Sequence, residues 1–273
     1  MNYPNSNILK KFLKKEKISI VINLIIYNPK QVKEELNLYK NKIEKYFFIS
    51  TTACYKPALK GILNENSKTG NNIWEYAYKK LKCEKIFLNS SKKESFPVTI
   101  IRTGNFYSKK FIPYPIIRSG FECLKIAIKN KIFFIPRNIS ENFWSLIHVE
   151  DFANNFVKLL DKETNGKIIN IAGEQKIKWR NILKLYSQTL KIKVKYIELK
   201  NSIFSKNEKQ AGLGDRWNSK IFHNKRIRKL KINYNEKIKI EDGLKKSIKY
   251  FKKNINKFNY DKKKILFYLN KIN

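Results

Sequence analysis

The sequence predicts a doubly wound α/β fold built on a parallel sheet. Near-continuous apolar, β-branched runs recur at residues 18–27, 46–51 and 98–102, the pattern of strands buried on both faces. Segments with helical apolar spacing separate them, so the first half reads strand, helix, strand, helix, strand. A chain of 273 residues with 42% hydrophobic content is long and apolar enough for a real core, in one large domain or two modest ones.

Taken in order, residues 18–27 form the first strand. Residues 31–45 read as a helix through Val32, Leu36, Leu38, Tyr39 and Ile43, and residues 46–51 as a second strand. A polar stretch with Pro57, Gly61 and Gly70 leads to a helix over 73–88 and a third strand over 98–102. In the more mixed second half, residues 121–129 predict a helix. Residues 143–149 predict a strand running into a helix opened by Asp151. Residues 168–172 are a short buried strand. Ile182, Leu183, Tyr186 and Leu190 mark a helix over 179–190. Ile240, Leu244, Ile248 and Phe251 share one helical face, and a lysine-rich tail carries Ile265, Leu266 and Leu269 on another.

The longest apolar run, residues 18–27, is broken by Ser19 and Asn23 and falls well short of the roughly 20 residues a membrane span needs. Met1-Asn-Tyr-Pro-Asn5 lacks a signal layout, so a cytoplasmic protein without a membrane partner is expected. Cys54, Cys83 and Cys123 form no Cys-x-x-Cys pair, which argues against a disulfide frame or a zinc site; no metal is expected. The net charge of +37 has two readings. Lysines gain affinity for nucleic acid by releasing counterions from phosphates. Against this, Lys, Asn, Ile, Phe and Tyr are all abundant, as A/T-rich codons supply, and the lysines are spread along the chain instead of forming one stripe. On either reading, non-specific adhesion to polyanions is expected.

Tyr76 and Lys80 stand four residues apart on the 73–88 segment, so both project from one helix face. A free tyrosine hydroxyl, with a pKa of about 10, is a poor acid or base at neutral pH. A nearby ammonium stabilises the phenolate and brings that pKa toward the working range. The spacing alone is weak, because 15 Tyr among 59 Lys and Arg make chance matches expected.

Its surroundings make it specific. Trp74-Glu-Tyr-Ala-Tyr-Lys-Lys-Leu-Lys-Cys-Glu84 resembles the active-site helix of extended short-chain dehydrogenases/reductases, the NAD-dependent epimerase/dehydratase group, where a glutamate follows four residues after the lysine. Tyr46-Phe-Phe-Ile-Ser-Thr-Thr-Ala-Cys-Tyr55 resembles that family's strand ending in a Ser/Thr–Ala–x–Tyr turn, which places the catalytic hydroxyl on Thr52. Pro97-Val-Thr-Ile-Ile-Arg-Thr-Gly-Asn-Phe-Tyr107 resembles the next strand and its loop, with Thr103 where proline is usual. Ser145-Leu-Ile-His-Val-Glu-Asp-Phe-Ala153, Ile168-Ile-Asn-Ile-Ala-Gly173, Gly214-Asp-Arg-Trp-Asn-Ser-Lys-Ile-Phe222 and Lys225-Arg-Ile-Arg-Lys-Leu230 follow in the family's order. The resemblance covers nearly the whole chain.

It implies an NAD(P)-binding Rossmann-like sheet over residues 1–108 and a mainly substrate-binding domain over 109–273, with about 143–173 returning to the sheet. It implies hydride exchange on a nucleotide sugar with NAD (or NADP). Tyr76 would move the proton. Lys80 would lower the tyrosine pKa and hold the nicotinamide ribose, Thr52 would hydrogen-bond the reacting oxygen, and Asn105 would face the substrate. Relatives are often dimers through a bundle that includes the Tyr76 helix, so a homodimer is an expectation. Arg118, Arg137, Asp215 and Arg216 are candidates to meet a nucleotide diphosphate or to sit on the surface. His148 reads as a core histidine and His223 as a surface one.

The front departs from the pattern. No Gly-x-x-Gly-x-x-Gly turn occurs, and Gly212-Leu-Gly214 follows a polar stretch instead of a strand. The first strands of the family's sheet are expected to be missing, leaving residues 18–27 as an apolar edge, and NAD binding by this chain alone is expected to be weak. Two other readings stand beside the enzyme: an RNA-binding relative of the superfamily without redox chemistry, and an inactive remnant.

Overall fold

In the computed structural model, residues 6–56, 61–71, 74–116, 120–200, 202 and 216–258 are described. The chain opens with helix α1 (Ser6–Lys15), strand β1 (Ile20–Asn23), helix α2 (Pro29–Tyr39), strand β2 (Lys45–Thr51), helix α3 (Glu75–Glu94) and strand β3 (Val98–Thr103). A fourth strand, Ile168–Asn170, completes a parallel sheet in the order β1, β2, β3, Ile168–Asn170.

Alternation along β2 explains why both sheet faces are covered. Tyr46 and Phe48 join Val98 and Ile100 against Val32 and Leu38 of α2 and Cys83 and Phe87 of α3. Phe47 and Ile49 point the other way, with Ile101 and Ile169, onto Phe156, Leu159 and Ile227. The second layer is supplied by the helices Val149–Val157 and Lys225–Lys229. Successive residues of a strand face opposite sides, so a strand with no polar alternation needs a layer on each.

The second half builds its own core from Phe121, Leu124, Phe133, Trp144, Trp179, Leu183, Leu244 and Phe251. These come from helices Gly120–Asn130, Trp179–Leu190 and Ile240–Lys253, and from two small sheets. One pairs Ile132–Pro136 with Lys195–Leu199 in parallel; the other pairs Phe143–Ser145 with Lys176–Lys178 antiparallel. The latter strands of both pairs are lysine-bearing and at best partly buried over most of their length, and give no apolar run from which to predict them.

Several elements end where a side chain competes for the backbone. β1 is shorter than residues 18–27 because Asn23 Oδ1 accepts from the N–H groups of Ile25 and Ile26, each at 3.1 Å, and turns the chain away. Helix α2 starts at a capping box: Asn28 Oδ1 accepts from Lys30 N–H at 3.0 Å and Gln31 Oε1 from Asn28 N–H at 3.1 Å. It stops at Tyr39, well before residue 45, and Asn41 at φ 58° reverses the chain. Helix α3 runs on to Glu94, past the expected end at residue 88; residue 73, its expected start, lies outside the described residues.

The segment 143–149 divides into strands Phe143–Ser145 and Ile147–His148. The next helix opens at Val149, not at Asp151. His148 is the cap, its Nδ1 accepting from Glu150 N–H at 3.3 Å, while the Asp151 carboxylate accepts from the N–H groups of Lys237 and Ile238. His148 is buried against the Tyr107 ring, and His223 is exposed. Residues 265–269 lie outside the described residues. No helix among the described residues is long and apolar enough to cross a membrane.

Among the described residues β1 is the outer strand, with Ile20 39% and Ile22 42% exposed. An open apolar edge is a template for pairing between chains. Ile22→Lys is therefore expected to change unfolding free energy by no more than about 0.5 kcal/mol while slowing aggregation, read by urea denaturation and light scattering. Gly173 is different: a Cβ there would lie 2.0 Å from the carbonyl oxygen of Leu146. Backbone must move to admit it, so Gly173→Ala is expected to cost about 3 kcal/mol or more in the same denaturation experiment.

Candidate active site

Strand β2 ends in a 3-10 turn, Thr52–Cys54, entered through Thr51, whose Oγ1 accepts from Ala53 N–H at 3.1 Å. This turn places the buried Thr52 hydroxyl beyond the end of the strand. Gly104, just past β3, lies against it: a Cβ at that position would be 2.7 Å from Thr52 Oγ1. Asn105 follows at φ 58°, a left-handed conformation that asparagine tolerates, and its carbonyl accepts from Ile147 N–H at 3.2 Å.

Tyr76, Lys80 and Glu84 recur every four residues on α3, so they form one stripe facing the sheet. Lys80 is buried, and its Nζ donates to the carbonyl of Ile49 at 2.7 Å and sits 4.4 Å from the Phe48 ring centre. Glu84 accepts from Ser50 Oγ at 2.5 Å and from Arg102 Nε and Nη2 at 3.0 and 2.6 Å. The Arg102 guanidinium lies 4.7 Å over the Tyr55 ring, and the Tyr55 hydroxyl donates to Asn170 Oδ1 at 2.7 Å. A buried polar chain thus ties α3 to three of the four sheet strands.

These elements enclose a cleft of about 450 Å³ lined by Thr52, Tyr76, Lys80, Gly104 and Asn105 on one side. Leu24, Trp74, Phe106, Trp144, Trp179 and Arg216 complete the wall, a size and apolar character suited to a small-molecule ligand. The rings of Trp74 and Tyr76 are 4.9 Å apart, those of Trp144 and Trp179 5.3 Å, and Arg216 lies 5.6 Å over Trp179. Two buried atoms of lining residues, Thr103 Oγ1 and Trp179 Nε1, have no hydrogen-bond partner among the described residues. A buried donor or acceptor without a partner is costly, and a bound ligand would relieve it.

Burial brings the Lys80 ammonium down to about 8, with the Glu84 carboxylate opposing the fall. Burial alone would also depress Arg102, but its hydrogen bonds to Glu84 and the carboxylate charge carry it upward, so it stays charged. Burial raises the Cys54 thiol far enough to keep it neutral. Thr52, Tyr76 and Lys80 thus set two hydroxyls and an ammonium along one wall of the cleft. The 273 residues contain no glycine-rich turn for the pyrophosphate.

The candidate residues Thr52, Tyr76, Lys80 and Asn105 all line this one cleft. Of the four polar candidates in the second half, Arg216 lines it, Arg137 pairs with Glu198 at 3.1 Å on the surface, and Arg118 and Asp215 lie outside the described residues. Ser50, Gly104, Trp144 and Trp179 also line the cleft; the sequence gives them no site role, because only the fold brings them beside Thr52 and α3. A larger groove of about 1460 Å³, bordered by the Trp179–Leu190 and Ile240–Lys253 helices, carries charges of both signs and none of the candidate residues. No group of three or more His, Cys, Asp or Glu side chains among the described residues is placed to hold a metal ion.

Comparison with known proteins gives the family and the fold. Residues 1–172 match the model of the NAD dependent epimerase/dehydratase family. A dTDP-D-glucose 4,6-dehydratase of Dictyostelium discoideum is 24% identical over 206 residues, covering 64% of this chain and 46% of that protein. The chain therefore spans about half the length of the curated relative it matches. Among solved structures, a dTDP-glucose 4,6-dehydratase of Bacillus anthracis in complex with NAD superposes with a TM-score of 0.72 at 17% identity, covering 92% of this chain and 78% of that one. A UDP-glucuronic acid 4-epimerase of Bacillus cereus, in complex with UDP-glucuronic acid and NAD, gives 0.70 at 18%, covering 90% and 78%. At such identities the superpositions establish the Rossmann-like fold, and the match over residues 1–172 establishes the family: the chain belongs to the NAD-dependent epimerase/dehydratase family.

Proposed function

We propose that this chain is an oxidoreductive epimerase or dehydratase acting on a nucleotide-linked hexose, at the cleft between α3 and the Thr52 turn. The observation that carries the reading is the convergence of Thr52, Tyr76 and Lys80, far apart in sequence, on one ligand-sized cleft. The relatives named above are 4,6-dehydratases and a 4-epimerase, so sugar carbon 4 is the expected position of reaction.

Tyr76 takes the proton from the hydroxyl at that carbon, or returns it. Lys80 carries a positive charge one helical turn away, which favours the phenolate over the phenol. Thr52 holds the reacting oxygen by a hydrogen bond, and Gly104 leaves room for the Thr52 hydroxyl to reach it. Trp144, Trp179 and Arg216 form the wall that would meet the rest of the substrate. Tyr76 and Lys80 would hold the nicotinamide ribose of NAD, which when bound supplies the hydride acceptor and donor.

The test is to incubate the chain with saturating NAD and a panel of UDP- and dTDP-hexoses and to follow carbon 4 by NMR. A change at that carbon is expected, reduced about 10²- to 10⁴-fold in Tyr76→Phe; equal rates in wild type and variant would defeat the mechanism. NAD affinity, measured by calorimetry at low salt, is expected to be weak for want of a glycine-rich turn; micromolar, stoichiometric binding would contradict this. Gly104→Ala should depress turnover at least tenfold with folding retained, because its methyl displaces the Thr52 hydroxyl. Turnover should also fall as pH rises through about 8, where Lys80 gives up its proton. A flat profile to pH 10 would remove Lys80 from the mechanism.

A further inference from the structure

Glu84 lies one turn beyond Lys80 on the side away from the cleft, and the proposed chemistry gives it no part. It is 1% exposed, and Arg102 beside it is 3% exposed. A buried ion pair is an expensive way to hold two elements together, because both charges give up water. Its geometry, however, has few alternatives. Arg102 engages both carboxylate oxygens through two nitrogens, and the Ser50 hydroxyl donates to one of them. Ile49 and Ser50 are neighbours on β2; the Ile49 carbonyl accepts from Lys80 and the Ser50 hydroxyl donates to Glu84, at successive turns of α3. Two successive turns are thereby fixed to two successive residues, which sets both the rotation of α3 and its height along the strands. Tyr76 is one further turn toward the Thr52 end.

We propose that Glu84, clamped by Arg102 and Ser50, is a positioning residue that sets Tyr76 and Lys80 at the cleft and stabilises the Lys80 ammonium in its buried seat. This rests on the reading of Tyr76 and Lys80 as the reacting pair. The ionisable groups acting on Lys80 are Cys83 and Glu84 from its own helix and Cys54 from the Thr52–Cys54 turn; Tyr76 stands one turn away on the same helix face, and Arg102 of β3 grips Glu84. Cys54 and Cys83 are held neutral by burial. Glu84 is therefore the negative charge among them, and Arg102 the opposing positive one.

That opposition gives a test which a purely architectural role would not satisfy. Lys80 ionisation would be followed in the full chain by NMR titration of the lysine ε-methylene signals, with the Lys80 signal assigned from its loss in Lys80→Met. Glu84→Gln should lower the Lys80 midpoint by about one pH unit, and Arg102→Met should raise it by a similar amount. The double variant Glu84→Gln/Arg102→Met removes both charges and should fall between. Breaking only one side of a buried pair can unfold a protein, so the double variant, which leaves no unpaired charge, is the safeguard. If neither single variant folds, the double variant alone decides: turnover at least tenfold down in a folded chain supports the proposal. Midpoints that stay put or move in the same direction in both single variants overturn it, as does a double variant with full turnover. The titration needs neither cofactor nor substrate. Opposite shifts in a chain without turnover would sink the proposed function and leave this inference standing.

Discussion

The buried Glu84–Arg102 pair is the constraint on which the site depends. Helix α3 could slide or rotate on an apolar sheet face at little cost, because Cys83, Phe87 and the sheet side chains beneath them fix no single register. Polar groups do. Once Arg102 and Ser50 grip Glu84, and Ile49 receives Lys80, neighbouring heights along α3 leave a buried donor or acceptor unpaired. The same chain runs on through Tyr55 to Asn170, so the fourth strand is drawn into the arrangement. Precision at the cleft is inherited from a network lying beneath it.

How much of this could be read from the sequence follows from where the information lies. β2, β3 and the Trp179–Leu190 helix were legible because uninterrupted apolar runs and helical spacing are local signals. The ends of β1 and α2 were not, because Asn23 and the Asn28–Gln31 box act through hydrogen bonds that a hydrophobic pattern does not encode. Leu146, where the 143–149 segment divides, lies against Gly173, a neighbour distant in sequence. In the site, Tyr76, Lys80 and Thr52 could be picked out by resemblance to a family. Trp144, Trp179 and the partnership of Arg102 with Glu84 could not, since their meaning arises only when α3, β3 and the second half meet.

The charge and the exposed edge belong to the same physical picture. A net charge of +37 opposes association between copies through mutual repulsion, while β1 presents an apolar strand that favours it. Leu24 follows β1 directly and lines the cleft, so whatever pairs with this edge would also border the site. Exposure at β1 and chemistry at α3 are thus neighbouring features of one face.

The account stands or falls on whether the cleft beside Tyr76 is where a nucleotide sugar binds, and the tryptophans report this without turnover. The sequence has four, of which Trp74, Trp144 and Trp179 line the cleft and Trp217 is not among its lining residues. The direct measurement is a titration of the ¹⁵N-tryptophan-labelled chain with a UDP- or dTDP-hexose, reading the four indole N–H signals. The account predicts that the signals of Trp74, Trp144 and Trp179 move together and saturably while that of Trp217 stays in place. Saturable movement of Trp217 alone, or no movement at millimolar ligand, would contradict it.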